Sequence, residues 1–395
     1  MPMLDKSLYI SSDEAAELLK VSKATLYAYV SRRGLRSFPS EGTRKRRYWR
    51  ADIEKLLQQS PDATLASTTL VPSTSLTLLT HDGLFYRGRD VTKLSATASL
   101  EEVASLLWEA DANLFETLPP SGPKNLADQI TLFSGLSPLN RALAVLPSIE
   151  DANLKSADLS TSGFLLSCAG VLRWMAALLS NKQEATTEPT HKVIAHAVAA
   201  NERFEELIRQ SLVLSADHEL DPTTYAVRAA ANTGVTPYGA TMVGLVVAQG
   251  QRQRHQRVLT AARFLRVVMS APDPTSEVLR IYRMGESIPG FSDQTLHEGR
   301  DPRASALLSA MAEQLNGDRE FAKIEKMITA ATDLSGFSPA FILPVVFLGL
   351  QLGYEDEPLT FVTAGRMVGW LAHAREQFFS GPQVRPRTAY VGTLP

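Results

Sequence analysis

Between Lys20 and Arg50 ten side chains are basic and one, Glu41, is acidic, a density of positive charge suited to phosphate oxygens. A second basic run, Gln251–Arg257 in GQRQRHQRV, fits the phosphates of a coenzyme, another anion or nucleic acid. It fits equally well the solvated start of a helix, the commoner fate of such runs. His191 and His196 stand five residues apart with no third ligand type nearby, so no metal site is expected. Cys168, inside GFLLSCAGVL, is the sole cysteine. It is expected to pack in a core, and a chain without an intramolecular disulfide suits a reducing, cytoplasmic compartment.

The elements that must position these groups follow from patterning. The formal charge of the whole chain is -2, which on its face argues against nucleic acid. It divides unevenly: residues 1–60 carry 12 Lys/Arg and 7 Asp/Glu, and the remainder 28 and 35. The first segment is therefore positive and the rest negative, the footprint of a nucleic-acid module joined to another body. Ser11 and Glu14 have capping-box spacing ahead of a helix over Asp13–Lys20. Ser22 is a good N-cap for a second helix, Lys23–Arg32, with Leu26 and Val30 on the face toward the first helix and Gly34 as its stop. A basic, aromatic segment, SEGTRKRRYWR, then reads as a β-wing, and Ala51–Leu57 as a closing helix.

The stretch Glu14–Ser37, EAAELLKVSKATLYAYVSRRGLRS, followed by RRYWRADIEKLL, resembles the winged helix-turn-helix of the MerR and excisionase families. The resemblance implies DNA as a partner. Ser22, Lys23, Thr25, Tyr27 and Tyr29 would lie near the recognition surface, and Arg44, Lys45, Arg46 and Arg47 would contact phosphates from the wing.

Residues 59–69 are polar and rich in Ser, Thr and Pro, which predicts a linker between a module over 1–58 and a body over 70–395. No N-terminal apolar run suggests a signal peptide. Phe341–Leu352, an apolar run of 12 residues, is too short to span a bilayer, so no membrane partner is expected. In the body, SLTLLTHDGLFYRG predicts a hairpin turning at Asp82-Gly83. Beyond Ser99 the pattern is helical, with expected helices including Leu100–Glu109, Pro138–Leu146, Leu159–Ser180, Ile194–Leu214 and Gln256–Met269. The fold class is mainly α.

Five stretches of this body resemble citrate synthase, in the smaller bacterial form that includes 2-methylcitrate synthases. They are LFYRGRDVTKLSATASLEEVASLL, SADHELDPTTYAVRAAANTG, IPGF with DPRA, FVTAGRMVGWLAHAREQ and VRPRTAYVG, in the family's order. The resemblance implies large and small helical domains, the small one inserted at roughly 250–340, and a homodimer. Oxaloacetate would lie between the two domains, with acetyl-CoA as co-substrate and no cofactor. His218, Arg303, Arg366 and Arg385 match the family's oxaloacetate ligands. Planar arginine donors suit carboxylates, and a histidine suits the keto oxygen between them. Each also has a local alternative, such as an ion pair between Arg303 and Asp301.

The catalytic positions depart from the family. Condensation requires a carboxylate to take the thioester's methyl proton and two histidines to handle the enol and ketone oxygens. The family's first histidine falls on Gln253, its second on Asp293 and its carboxylate on Ile342. His255 and His297 are shifted candidates, and Asp333 lies nine residues from its position. A loop can slide one histidine, but not all three groups while keeping reacting atoms in reach. The leading expectation is a DNA-binding regulator that senses a di- or tricarboxylate through a degenerate synthase fold. The alternatives are an active citrate or 2-methylcitrate synthase carrying a regulatory module, and a scaffold for an active synthase.

Overall fold

The computed structural model describes residues 9–19, 21–23, 26, 37–39, 46–49, 53, 73–80, 83–218, 221–250, 254–291 and 300–380. Ser73–Gln383 forms one compact unit, and the described residues before it belong to another.

In the N-terminal unit β1 (Tyr9–Ser11) leads into α1 (Ser12–Leu18), and β2 (Ser37–Pro39) and β3 (Arg46–Trp49) follow. The three strands pair antiparallel in the order β1-β3-β2, so the wing forms where the basic aromatic segment predicts it. The capping box is complete: Glu14 N–H donates to Ser11 Oγ at 3.2 Å, and Ser11 N–H to Glu14 Oε2 at 2.8 Å. Helix α1 stops two residues short of the expected Lys20, where Val21 N–H donates to the Ala16 carbonyl and turns the chain. Ile10, Ala15, Leu19, Leu26, Tyr48 and Ile53 share one small core. That core explains why Leu26 is apolar. The rest of the expected second and closing helices lies outside the described residues.

The body opens with β4 (Thr77–Leu79), β5 (Leu84–Tyr86) and β6 (Arg89–Asp90), an antiparallel sheet with Thr77 opposite Tyr86. Helices follow: α2 (Val91–Thr97), α3 (Leu100–Trp108), α4 (Leu126–Leu132), α5 (Pro138–Ala152) and α6 (Thr161–Leu179). Next come α7 (Thr190–Ala197), α8 (Glu202–Leu214), α9 (Pro222–Ala231) and α10 (Pro237–Ala248). The last are α11 (Thr260–Ser270), α12 (Thr275–Arg283), α13 (Pro302–Gln314), α14 (Arg319–Ser335), α15 (Ile342–Gln351) and α16 (Thr363–Ser380). Helix α16 is the hub, packing against α3, α6, α8, α9 and α10. Trp108 of α3 is fixed to it by an indole N–H donated to the Val368 carbonyl at 2.9 Å.

Three boundaries differ from the sequence expectation, each for a local reason. The expected helix Ile194–Leu214 is two helices. Ala199 takes a positive φ of 50°, and Asn201 caps α8 by accepting from Phe204 N–H at 3.2 Å. Helix α5 runs through Pro147 to Ala152 instead of ending at Leu146. Burial of Val145, Leu146 and Ile149 offsets the roughly 3 kcal/mol that an internal proline costs. The expected helix Gln256–Met269 begins as a π-helical turn, Arg254–Leu259, before α11. Helix α6 is long and apolar enough to cross a membrane, but 83% of its most apolar window is buried inside this unit, which identifies it as a core helix.

Gly365 marks the closest approach of α16 to α8. A Cβ there would sit 2.5 Å from the Leu212 carbonyl oxygen, and backbone cannot yield as a side chain can. Gly365→Ala is expected to cost about 1–3 kcal/mol, read as a lower urea midpoint. An unchanged midpoint would mean that the two helices separate freely.

Candidate functional site

Three segments converge on one cavity of about 470 Å³. The first is the turn Ser215–His218 between α8 and α9. The second is the start of α13, where Asp301 is the N-cap and Arg303 follows Pro302. The third is the first turn of α16, which carries Arg366. His218, Arg303 and Arg366 all line the cavity, so three of the four residues expected to bind a carboxylate are brought together. Arg385, the fourth, lies outside the described residues.

Each of the three is held by an acid. Arg303 makes a two-pronged pair with Asp301, Nε to Oδ1 at 3.1 Å and Nη2 to Oδ2 at 2.8 Å, and its guanidinium lies 4.8 Å from the Phe341 ring centre. The local pairing weighed in the sequence is therefore present. Arg366 donates from Nη1 to Asp217 Oδ1 at 2.6 Å and from Nη2 to Thr224 Oγ1 at 2.7 Å. Asp221, which caps α9 through Thr224 N–H at 2.6 Å, stands 3.5 Å from the same guanidinium and 3.4 Å from His218 Nε2.

Electrostatics follow from this arrangement. Burial and the nearby Arg366 charge push the His218 pKa down to about 4, against the pull of the Asp221 hydrogen bond. The ring is therefore neutral at pH 7, free to serve as donor or acceptor to a ligand oxygen. Burial alone would raise the Asp217 pKa. The nearby Arg366 charge, with hydrogen bonds from His373 and Thr77, instead holds it well below the ordinary carboxylate range. Asp217 is a structural anion.

Apolar side chains line part of the same cavity. Ile342, on the position that the resemblance assigns to that carboxylate, lines the cavity with Phe341 and Val345. Asp356 and Glu357 also line it, from the segment between α15 and α16. Of the other catalytic positions, Gln253, Asp293 and His297 lie outside the described residues. His255 falls in the π-helical turn with its side chain outside them. Among the described residues, no cluster of three His, Cys, Asp or Glu side chains is placed to hold a metal ion. His191 is 3.9 Å from Glu205, and His196 is 3.3 Å from Glu188. Cys168 is buried in α6, which pushes its thiol pKa well up.

Sequence reasoning passed over Asp217, Asp221, His373 and Gly369. His373 Nε2 lies 3.0 Å from Asp217 Oδ2, and a Cβ on Gly369 would lie 2.6 Å from Asp217 Oδ1. A signal existed: Arg366, Gly369 and His373 fall at i, i+3 and i+7, one face of a helix. In the N-terminal unit Ser22, Lys23, Arg46 and Arg47 are described. Lys23 is exposed and paired with Asp13, and Arg46 and Arg47 stand exposed on β3. Thr25, Tyr27, Tyr29, Arg44 and Lys45 lie outside the described residues.

Comparison with known proteins decides the kinship. The family described as citrate synthase, C-terminal domain, matches residues 64–387. The chain belongs to the citrate synthase family. A second family, a helix-turn-helix domain, matches residues 9–61. Citrate synthase of Haloferax volcanii is 25% identical over 358 residues, covering 82% of this chain and 94% of that protein. A 2-methylcitrate synthase of Mycobacterium tuberculosis is 23% identical, covering 87% and 91%. Among solved structures, citrate synthase of Pyrobaculum aerophilum gives a TM-score of 0.67 at 17% identity, covering 84% of this chain and 92% of that one. The Thermoplasma acidophilum enzyme, solved with carboxymethyl coenzyme A and oxaloacetate, gives 0.65 at 18%, covering 84% and 97%. At these identities the structures establish the fold alone.

In this citrate synthase fold His218 imposes a pH dependence. Its ordinary pKa is 6.5 and burial with Arg366 takes it to about 4. The unfolded chain thus binds a proton there between those values and the folded chain does not. Stability is complete above pH 6.5 and is lost as pH falls toward 4, by about 1–2 kcal/mol between pH 7 and 5. Asp217 and Asp221, both held low, lose their contribution only below their ordinary range near 3.8. Urea titrations at pH 7 and 5 should show a smaller loss for His218→Gln than for the parent; equal losses would place the titration elsewhere.

Proposed function

We propose that this chain is a DNA-binding regulator whose citrate synthase fold binds a di- or tricarboxylate without condensing it. One observation carries the reading. His218, Arg303 and Arg366 share a cavity with Ile342, which stands where the family resemblance places a proton-abstracting carboxylate and has no group that can take a proton. Binding chemistry is retained and the base is replaced by hydrocarbon. The helix-turn-helix match and the exposed Arg46 and Arg47 supply the output, a phosphate-contacting wing. A two-fold dimer of the synthase fold would present two such modules to a palindromic site.

The competing reading is a synthase. The synthase names of the relatives from Haloferax and Mycobacterium favour it, and Asp356 or Glu357 would then be the base. Release of free CoA from acetyl-CoA or propionyl-CoA with oxaloacetate separates the two. No release above background is expected, and turnover of about 1 per second, within the ordinary enzyme range, would sink the regulator. Saturating citrate or oxaloacetate should raise the Tm by about 3 °C or more, and Arg303→Gln should abolish the rise. If neither acid moves the parent's Tm, the cavity does not serve as a sensor.

The DNA half is tested separately. Affinity for a fragment bound by the full chain should fall steeply with salt, and Arg46→Ala should flatten the logarithmic salt slope by about one unit. An unchanged slope would remove Arg46 from the phosphate contacts.

A further inference from the structure

The two oxygens of Asp217 serve different parts of the body. Oδ1 receives Arg366, which lines the cavity. Oδ2 receives the Thr77 hydroxyl at 2.5 Å and His373 Nε2 at 3.0 Å. Thr77 opens strand β4, almost at the start of the unit that begins at Ser73, and the helix-turn-helix match ends upstream at residue 61. The strand that leaves the DNA-binding segment is thus bonded to the same carboxylate that holds a cavity arginine.

A second route runs between the same ends. His373 Nδ1 lies 3.1 Å from Arg228 Nη1. A guanidinium has only donors, so Nδ1 accepts, and the ring's proton sits on Nε2 and is donated to Asp217. Arg228 Nη1 also donates to Glu376 Oε2 at 2.6 Å. Glu376 Oε1 accepts from Ser75 N–H at 2.7 Å and from its hydroxyl at 3.0 Å. Ser75, Glu376, Arg228, His373, Asp217 and Thr77 therefore form a ring of polar bonds closed by two residues of backbone. Asp217 and His373 are fully buried and Arg228 nearly so. Inside a body this dry, a bond lost at one member is not replaced by water, so its neighbours must adjust.

Resting on the reading of the cavity as a carboxylate sensor, we propose that Asp217 relays occupancy of the cavity to Ser75–Leu79, the segment that opens the body on the side of the chain that carries the helix-turn-helix match. An anionic ligand engaging Arg366 competes with Asp217 Oδ1 for the same donors. The displaced carboxylate is too buried to find solvent, and it re-partitions onto Thr77 and His373. Asp217 is a positioning residue: it need touch no ligand, since it acts by setting where Arg366 lies and how firmly Thr77 is held. By reciprocity, whatever alters the Thr77 bond must alter ligand affinity by the same factor.

Amide hydrogen exchange on the full chain tests this. Citrate, at a concentration that raises the Tm, should change exchange of Ser75–Leu79 at least threefold. Thr77→Val, which keeps the shape and removes the donor, should abolish that change while citrate still raises the Tm. Unchanged exchange in the parent, or a change that persists in Thr77→Val, overturns the proposal. A ligand-free arm separates this outcome from failure of the sensor reading. Arg366→Lys, or Arg366→Gln if the first does not fold, should raise Ser75–Leu79 exchange at least fivefold while amides of α6 stay protected. Added to Thr77→Val, either should raise it little further. If the Arg366 variants leave the segment at the parent's rate, the relay is absent whether or not citrate binds.

Discussion

A carboxylate removed from water must be matched on nearly every lone pair, and among the described residues Asp217 is the acid least exposed to water. It is wholly buried and accepts bonds from Arg366, Thr77 and His373 through its side chain. Its backbone N–H donates to the Tyr86 hydroxyl, and its carbonyl accepts from that same hydroxyl, each at 2.9 Å. Removing one partner from such a group costs on the order of 3–5 kcal/mol. The turn between α8 and α9, the first half of α16 and the strands β4 and β5 are therefore fixed relative to one another through a single residue. Gly369 completes the constraint. Its missing Cβ lets α16 approach until Arg366 reaches across, and a methyl group there would collide with the Ala216 carbonyl and with Asp217.

How much of this was legible in the sequence depended on how far apart the interacting residues stand. The capping box of α1 uses residues three apart, and β4 pairs with a strand that begins only five residues after it ends, so both elements were legible locally. That His218, Arg303 and Arg366 belong together was readable because they sit inside short patterns that a family repeats. Asp217 and Thr77 are separated by 140 positions, and Asp217 and His373 by 156. No local pattern pairs such residues; only packing does. The split of Ile194–Leu214 at Ala199 was invisible for a related reason, since a continuous apolar period does not reveal a left-handed residue within it. Net charge misled in the opposite sense. A value of -2 averages a basic module with an acidic body, and only the division carried information.

Any anion entering the cavity meets side chains that are already paired. The arginines are not waiting with empty forks, because Asp301 and Asp217 already occupy an edge of each. A ligand carboxylate gains only the difference between its own pairing and the one it displaces, and the rest of the effect appears as rearrangement of the displaced acid.

Ile342 lines the same cavity. A base earns its role by standing within reach of the proton with a pKa near the working pH, and an isoleucine meets neither condition. What it adds is apolar surface next to Phe341 and Val345, which favours a ligand presenting hydrocarbon to that side and carboxylates to the arginines. The cavity thus sets that hydrocarbon beside His218, Arg303 and Arg366, so that any ligand it takes must satisfy both kinds of surface.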